Sequence, residues 1–409
     1  MEELLGKTVK CKCGKIHHIP NIEIIENYIH NAVNLFSNAF FIADLNTAQL
    51  AKLPDERSFI FNNKRPLATY ENVNKIIQVS KNFPELVSVG SGSLTDLARY
   101  AAFLSKKSYS CIPTAPSVDA YTSTVAPILI NGVKHTLKAS VANKILLDFQ
   151  VLKDSPSSLL KAGVADNSAK ILARTDWILS NVLHNEYICP FVWNDIKNYL
   201  KEIPNIYDLI LQKDIKSIKT LTKAQLISGI NMIIIGSSRP ASGAEHLISH
   251  LIEMVHEDKD ELPPFHGLTV AIGLYISYKA YKVLMNNINL LRKEYTFEDR
   301  KKELFSILSK QKTLDLFNIY KTKRKMYRNY NFDLNKIKKE IKNIYNEYFP
   351  LLSKIIEKLD FQSLISNYDK TFIMKVIRLS NMVRTRFTIL DLFEEMNILK
   401  NFSELFFQL

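Results

Sequence analysis

The sequence predicts a parallel-sheet α/β domain followed by an all-helical domain. Three observations carry that prediction. Short apolar runs alternate with longer helical stretches up to about residue 150. From about residue 155 helical apolar spacing takes over, with few strand signals. Between them, "DFQVLKDSPSSLL" is a polar joint holding Pro156 and helix-capping serines. The domains are therefore expected at 1–155 and 156–409.

Taken in order, "AFFIADL", "SFIFN", "ELVSVGSG" and "SYSCIPTA" are rich in β-branched and aromatic residues and read as strands. "ENVNKIIQVSKNF" and "LTDLARYAAFLSKK" separate them with helical periodicity. Strands that alternate with helices form a parallel sheet covered on both faces. "VAPILINGVKHTLKAS" reads as a hairpin turned at Asn131-Gly132. Beyond the joint, "SSLLKAGVADNSAKILARTDWILSNVL", "KAQLISGINMIII", "GLTVAIGLYISYKAYKVLM" and nearly everything after residue 290 read as helices. Ligands of such proteins favour the carboxyl ends of strands and the cleft between domains, so the active site is expected there.

Composition excludes several classes. The N-terminal "MEELLGKTVKCKCGK" has no apolar core after a basic start, so no secretory signal is expected. The most apolar stretch, "LISGINMIIIG", is too short to span a bilayer and carries Asn231, so a soluble, cytoplasmic protein is expected. Four scattered cysteines do not make a disulfide framework. The net charge of +13 is concentrated late, as in "YKTKRKMYRNYNFDLNKIKKEIKN". Such a run is read as a solvated helical face whose field steers anionic substrates, ahead of a nucleic-acid surface.

Glycine points to the sites. The chain has 11 glycines in 409 residues, well below the usual share of about 7%. Gly90, Gly92, Gly163, Gly243 and Gly267 each adjoin a polar or titratable cluster. Gly90-Ser91-Gly92-Ser93 leads from a strand into a helix expected to begin near Thr95 or Asp96. Two glycines let backbone approach an anion, and a helix N-terminus offers free N–H groups. The third glycine of the dinucleotide fingerprint is replaced by Asp96 and Leu97. The next strand ends in "CIPTAPSVDAYTSTVAP", where Thr114, Ser117, Asp119, Thr122 and Ser123 crowd small donors around one carboxylate.

Four of the nine histidines, His246, His250, His256 and His266, fall within "SSRPASGAEHLISHLIEM" and the stretch after it. On a helix His246 and His250 share a face. Asp166, in "KAGVADNSAK", is a carboxylate on an apolar helix that needs a reason. Two imidazoles and one carboxylate with an open fourth position suit a catalytic divalent metal. The motif is not HExxH, because Glu245 precedes the first histidine and Leu247, not a glutamate, comes directly after it. "VKCKCGKIHH" is a second candidate through Cys11, Cys13, His17 and His18. It is set aside because cysteines one residue apart on a strand point to opposite faces.

"GSGSLTD", "PTAPSVDAYTS", "AGVADNSAK", "SSRPASGAEHLISHLIEM" and "FHGLTVAIG" occur in the order and at about the spacing found in sn-glycerol-1-phosphate dehydrogenases. Over roughly residues 35 to 290 the chain resembles that family, and most of all its bacterial, arabinose-operon-associated branch. The family belongs with iron-containing alcohol dehydrogenases, glycerol dehydrogenases and dehydroquinate synthases. The resemblance implies a Rossmann-like domain before a helical, dehydroquinate-synthase-like domain. It implies that Gly92, Ser93, Leu94, Thr95 and Asp96 contact NAD(P), together with Thr114, Ala115, Pro116, Ser117 and Ser123. Asp44 would take the adenosine side. Asp166, His246 and His266 would hold one zinc or nickel ion per subunit. Asp119, His250 and Asp166 would meet substrate, with His250 and Asp119 acting in catalysis.

The implied reaction is hydride transfer between NAD(P)H and dihydroxyacetone phosphate, giving sn-glycerol 1-phosphate for glycerophospholipids, in a cytoplasmic homodimer without nucleic acid or membrane span. The substrate phosphate needs a cationic or N–H-rich seat that the sequence does not assign to one Lys or Arg, Arg239 being one candidate. The alternatives are a polyol dehydrogenase, a dehydroquinate-synthase-like cyclase and, of another class, a basic nucleic-acid binder with structural histidines.

Overall fold

A two-stranded antiparallel hairpin, β1 (Thr8–Lys10) with β2 (Ile16–His18), precedes the main sheet. That sheet has six parallel strands in the spatial order β3 (Glu23–Glu26), β10 (Lys144–Leu147), β7 (Ser108–Pro113), β6 (Glu85–Gly90), β4 (Ala39–Asp44), β5 (Ser58–Phe61). A second hairpin pairs β8 (Val125–Ile130) with β9 (Val133–Lys138). The computed structural model describes residues 5–12, 14–130, 133–327 and 333–409. The expected Asn131-Gly132 turn lies outside them. Among the described residues no strand follows β10.

Every residue of β4 is buried, as a central parallel strand covered on both faces must be. Phe41, Val87, Val89, Ile112 and Leu146 meet Ile29 and Phe36 in one cluster on the sheet. β4 to β7 are the four strands expected. The hairpin β1–β2 and the short strands β3 and β10 were not expected. From β4 the chain steps outward to β5, then crosses back through the helix Tyr70–Val79 to β6 on the other side of β4. The β4/β6 boundary is thus where strand order reverses, the point at which open parallel sheets bind ligands.

The helix after β6 is Gly92–Ser105, so it starts before the expected Thr95. Ser91, with extended φ −102° and ψ −156°, occupies the N-cap position. Gly92 and Ser93 therefore already belong to the helix.

The remaining chain is helical. Ser157–His184 is one long helix, and Ile215–Ile235 is capped by the Asp214 carboxylate and stopped by Gly236 at φ 73°. Ala244–Asp258 and His266–Met285 follow. A Cβ on Gly273 would sit 2.0 Å from the Glu245 carbonyl oxygen, so these two helices touch backbone to backbone. Contacts divide the chain into two compact units. The first holds Met1–Asn167, Pro190–Tyr199 and Ile206–Ser237; the second holds Ser168–Cys189, Leu200–Asn205 and Ser238–Leu409. The division falls inside the helix Ser157–His184.

The described residues of the late basic region form the helices Lys310–Met326 and Leu334–Lys358. Two of its lysines are not solvated. Lys312 pairs with Asp258 at 3.3 Å and Lys323 with Asp391 at 2.6 Å, each lysine nearly fully buried.

Candidate active site

Asp44, Gly90 and Pro113 end three neighbouring parallel strands, so the two polar segments after β6 and β7 emerge side by side. Gly90 and Pro113 are register partners. A Cβ on Gly92 would lie 3.3 Å from the Val118 side chain, close enough that Val118 would have to shift by a few tenths of an ångström. Leu94, Thr95 and Asp96 are buried on the helix it opens. Burial pushes the Asp96 carboxyl up to about 7 against the pull of Arg99, and its Oδ1 has no hydrogen-bond partner among the described residues. Asp44 sits at the end of β4, where its Oδ1 accepts from the N–H groups of Asn46 (2.9 Å) and Thr47 (3.0 Å).

The segment after β7 is clamped by Gly163 and by the helix Ile215–Ile235, all within the first unit. Gln225 Nε2 donates to the Pro116 carbonyl at 2.7 Å, and Thr122 Oγ1 donates to the Leu226 carbonyl at 2.7 Å. The Ser228 hydroxyl donates to Asp119 Oδ2 at 2.7 Å. Gly163 presses its Cα on Pro116 so closely that a Cβ would stand 1.8 Å from the carbonyl oxygen. Tyr121 donates to the Ala115 carbonyl at 2.5 Å. Thr114, Ala115, Ser117 and Ser123 are all buried in this frame.

The histidines converge. Ring centroids of His246 and His266 are 5.4 Å apart, with His250 at 6.1 Å from the first and 5.7 Å from the second. One ligand atom each of Asp166, His246 and His266 lies within 4.8 Å of the others. Asp166 and His246 are buried and His266 is partly exposed. His256 is elsewhere, its Nε2 at 3.0 Å from the Tyr368 hydroxyl and its Nδ1 at 2.9 Å from Glu261.

Two glutamates that the sequence did not single out hold the imidazoles. His246 Nδ1 donates to Glu245 Oε1 at 2.9 Å, and His266 Nδ1 donates to Glu253 Oε1 at 2.6 Å. Both carboxylates are buried. The Ser249 and Thr269 hydroxyls also donate to Glu253 Oε1, at 3.0 and 2.8 Å. In each imidazole Nε2 is thereby the nitrogen available as a ligand, the carboxylate–histidine arrangement that fixes tautomer and orientation at metal sites. The nitrogen, nitrogen, oxygen donor set fits a divalent cation with an open position.

The turn before His246 is built around Asp176. Its Oδ2 accepts from the Ala244 N–H at 2.7 Å, and its Oδ1 accepts from Tyr281 at 2.6 Å and from the Ile389 N–H at 2.8 Å. Burial, with the charge of Glu245 added, raises the Asp176 carboxyl to about 7. Gly243 is needed there because a Cβ would lie 2.5 Å from Asp176 Oδ2. Arg386 donates to the Ser242 carbonyl and to Ser238 Oγ, so it braces the same turn. Arg239 is buried, with Nη2 bonded to the Phe387 carbonyl and to Glu186, both at 2.9 Å.

Residues 46–156 match the family model for iron-containing alcohol dehydrogenase. Solved structures share the fold. They include an iron-containing alcohol dehydrogenase from Corynebacterium glutamicum (TM-score 0.59, 12% identity, 95% of this chain and 96% of that one). A 1,3-propanediol oxidoreductase gives a TM-score of 0.63 at 12% identity, over 95% of this chain and 98% of that one. The glycerol-1-phosphate dehydrogenase [NAD(P)+] of Sulfurisphaera tokodaii is 34% identical over 234 residues, covering 55% of this chain and 65% of that one. That of Halalkalibacterium halodurans is 31% identical over 273 residues, 65% of this chain and 68% of its own length. With that identity over two thirds of a relative, on this fold, the chain belongs to the glycerol-1-phosphate dehydrogenase family.

Proposed function

We propose that the chain reversibly reduces dihydroxyacetone phosphate to sn-glycerol 1-phosphate with NAD(P)H, supplying the glycerol backbone of phospholipids. The observation that carries this is the meeting of Asp166, His246 and His266, with both imidazoles fixed at Nδ1 by buried glutamates. The names of the relatives add the substrate and the nicotinamide cofactor.

Asp166, His246 and His266 would hold one divalent ion per subunit, zinc or nickel. When bound, it supplies Lewis acidity at the C2 oxygen, and the nicotinamide supplies or accepts the hydride. Gly92, Ser93, Leu94, Thr95 and Asp96 with Thr114, Ala115, Pro116, Ser117 and Ser123 would seat the cofactor, and Asp44 would face the adenosine. The bracing of Pro116 and Asp119 by Gln225 and Ser228 supports a rigid seat. His250, beside both ligand histidines, would bond the substrate hydroxyl or relay its proton. Asp119 would orient the substrate. The working form would be a cytoplasmic homodimer. No helix among the described residues is long and apolar enough to cross a membrane.

The test is NADH and NADPH oxidation by purified protein with dihydroxyacetone phosphate, dihydroxyacetone and a heptulosonate phosphate. Oxidation with dihydroxyacetone phosphate, giving the 1-phosphate enantiomer, is expected. No oxidation with it, or turnover only with an unphosphorylated ketone, rejects the reading.

A further inference from the structure

The hairpin β1–β2 brings a second set of donors together. Cys11 follows the last residue of β1 and lies in the turn, not on the strand. The opposite-faces objection to "CKC" therefore does not apply to it. The turn is closed by Cys11 N–H donating to the Lys15 carbonyl (2.9 Å) and Gly14 N–H donating to the Cys11 carbonyl (3.0 Å), with Gly14 at φ 84°. On β2 the side chains alternate. His17 turns inward and is buried, while His18 turns outward, its Nδ1 at 3.0 Å from the Thr8 hydroxyl. Cys189, one residue before the helix Pro190–Asp195, is fully buried, and the Phe191 ring of that helix lies 6.2 Å from the His17 ring. The ligand atoms of Cys11, His17 and Cys189 all lie within 4.8 Å of one another.

We infer that Cys11, His17 and Cys189 form a structural site for a zinc-like divalent ion, separate from the Asp166, His246 and His266 set. Zinc–sulfur and zinc–nitrogen bonds of about 2.3 and 2.0 Å, spread tetrahedrally, put donors roughly 3.5–3.8 Å apart, so only a small contraction closes the set. Two thiolates and one neutral imidazole cancel the charge of such an ion, which suits a site buried from water. The hairpin has something to gain. Two strands of three residues are too short to be stable alone, and an ion shared with Cys189 ties them to a chain segment more than 170 residues away. Among the described residues, Cys11 and His17 belong to a hairpin that pairs with no strand of the six-stranded sheet, so an ion held there serves to fasten the hairpin.

Cobalt separates the two sites, because only thiolate ligands give intense charge-transfer absorption in the near ultraviolet. Full-length protein would be loaded with cobalt, its spectrum recorded and its metal content measured. Wild type and the Asp166→Ala/His246→Ala double variant should both show the thiolate band, and the double variant should keep about one ion per chain. Cys189→Ser and Cys11→Ser should lose the band and that ion, while His17→Asn should bind it more weakly. Cys13 is kept in every variant. A wild-type spectrum without the band overturns the inference, as does a band that survives loss of Cys11 and Cys189, or a Cys11–Cys189 disulfide in the purified protein. Wild type alone supplies the first and last of these results, so a variant that fails to fold does not shield the inference. Each result is independent of whether dihydroxyacetone phosphate is the substrate.

Discussion

His266 Nδ1 lies 2.6 Å from Glu253 Oε1, and this carboxylate, 13 residues earlier in the chain, decides which nitrogen of the imidazole faces the candidate metal site. His246 is held the same way by its neighbour Glu245 at 2.9 Å. The pair of histidines is thus oriented from behind by two buried charges.

Glu253→Ala should leave the fold intact and weaken divalent-metal affinity about 10–100-fold, the usual effect of removing a carboxylate behind a ligand histidine. Competition with a chromophoric chelator measures it. Unchanged affinity would show that His266 does not depend on this carboxylate.

Gly163→Ala should cost about 1–3 kcal/mol, since its Cβ would stand 1.8 Å from a backbone oxygen that cannot rotate away. Because that oxygen belongs to Pro116, KM for the nicotinamide cofactor should rise as well. Thermal unfolding and steady-state kinetics on one preparation read both effects.

Asp96 gives a pH signature. Its folded carboxyl is raised from 3.8 to about 7 by burial, so between those values the folded protein holds a proton that the unfolded chain has lost. The stability it contributes is complete below about pH 4, falls as pH rises through the window and levels off above about pH 7. The change is at most about 4 kcal/mol. Denaturant midpoints of wild type and Asp96→Asn, compared from pH 4 to 8, should diverge in that sense. Parallel profiles would refute it.

Lys323→Ala should destabilise by about 3–5 kcal/mol, because it leaves the Asp391 carboxylate buried without its 2.6 Å partner. A surface lysine serving only a solvated or nucleic-acid-facing helix would cost almost nothing. Urea unfolding distinguishes the two.

The local parts of this molecule were legible in its sequence. β4 to β7 announce themselves as apolar runs, and Gly92, Thr114 and His246 sit in motifs a few residues long. What escaped depends on distant partners. β3 and β10 have four residues each, and their pairing joins Glu23 to Lys144 across the domain, so neither carries a periodicity of its own. Glu253 looks like any glutamate in an amphipathic helix until His266 folds back on it. Cys189 has no cysteine near it in sequence, and only the fold sets it beside Cys11 and His17.

The central claim is that Asp166, His246 and His266 hold the ion on which turnover depends. Its most direct test is NADH oxidation with dihydroxyacetone phosphate by metal-stripped protein, titrated with zinc or nickel while bound metal is counted. Activity should be absent at the start and rise with the first equivalent retained by wild type, while Asp166→Ala and His246→Ala stay folded and inactive. Full turnover in the stripped protein, or in either variant, would contradict the account.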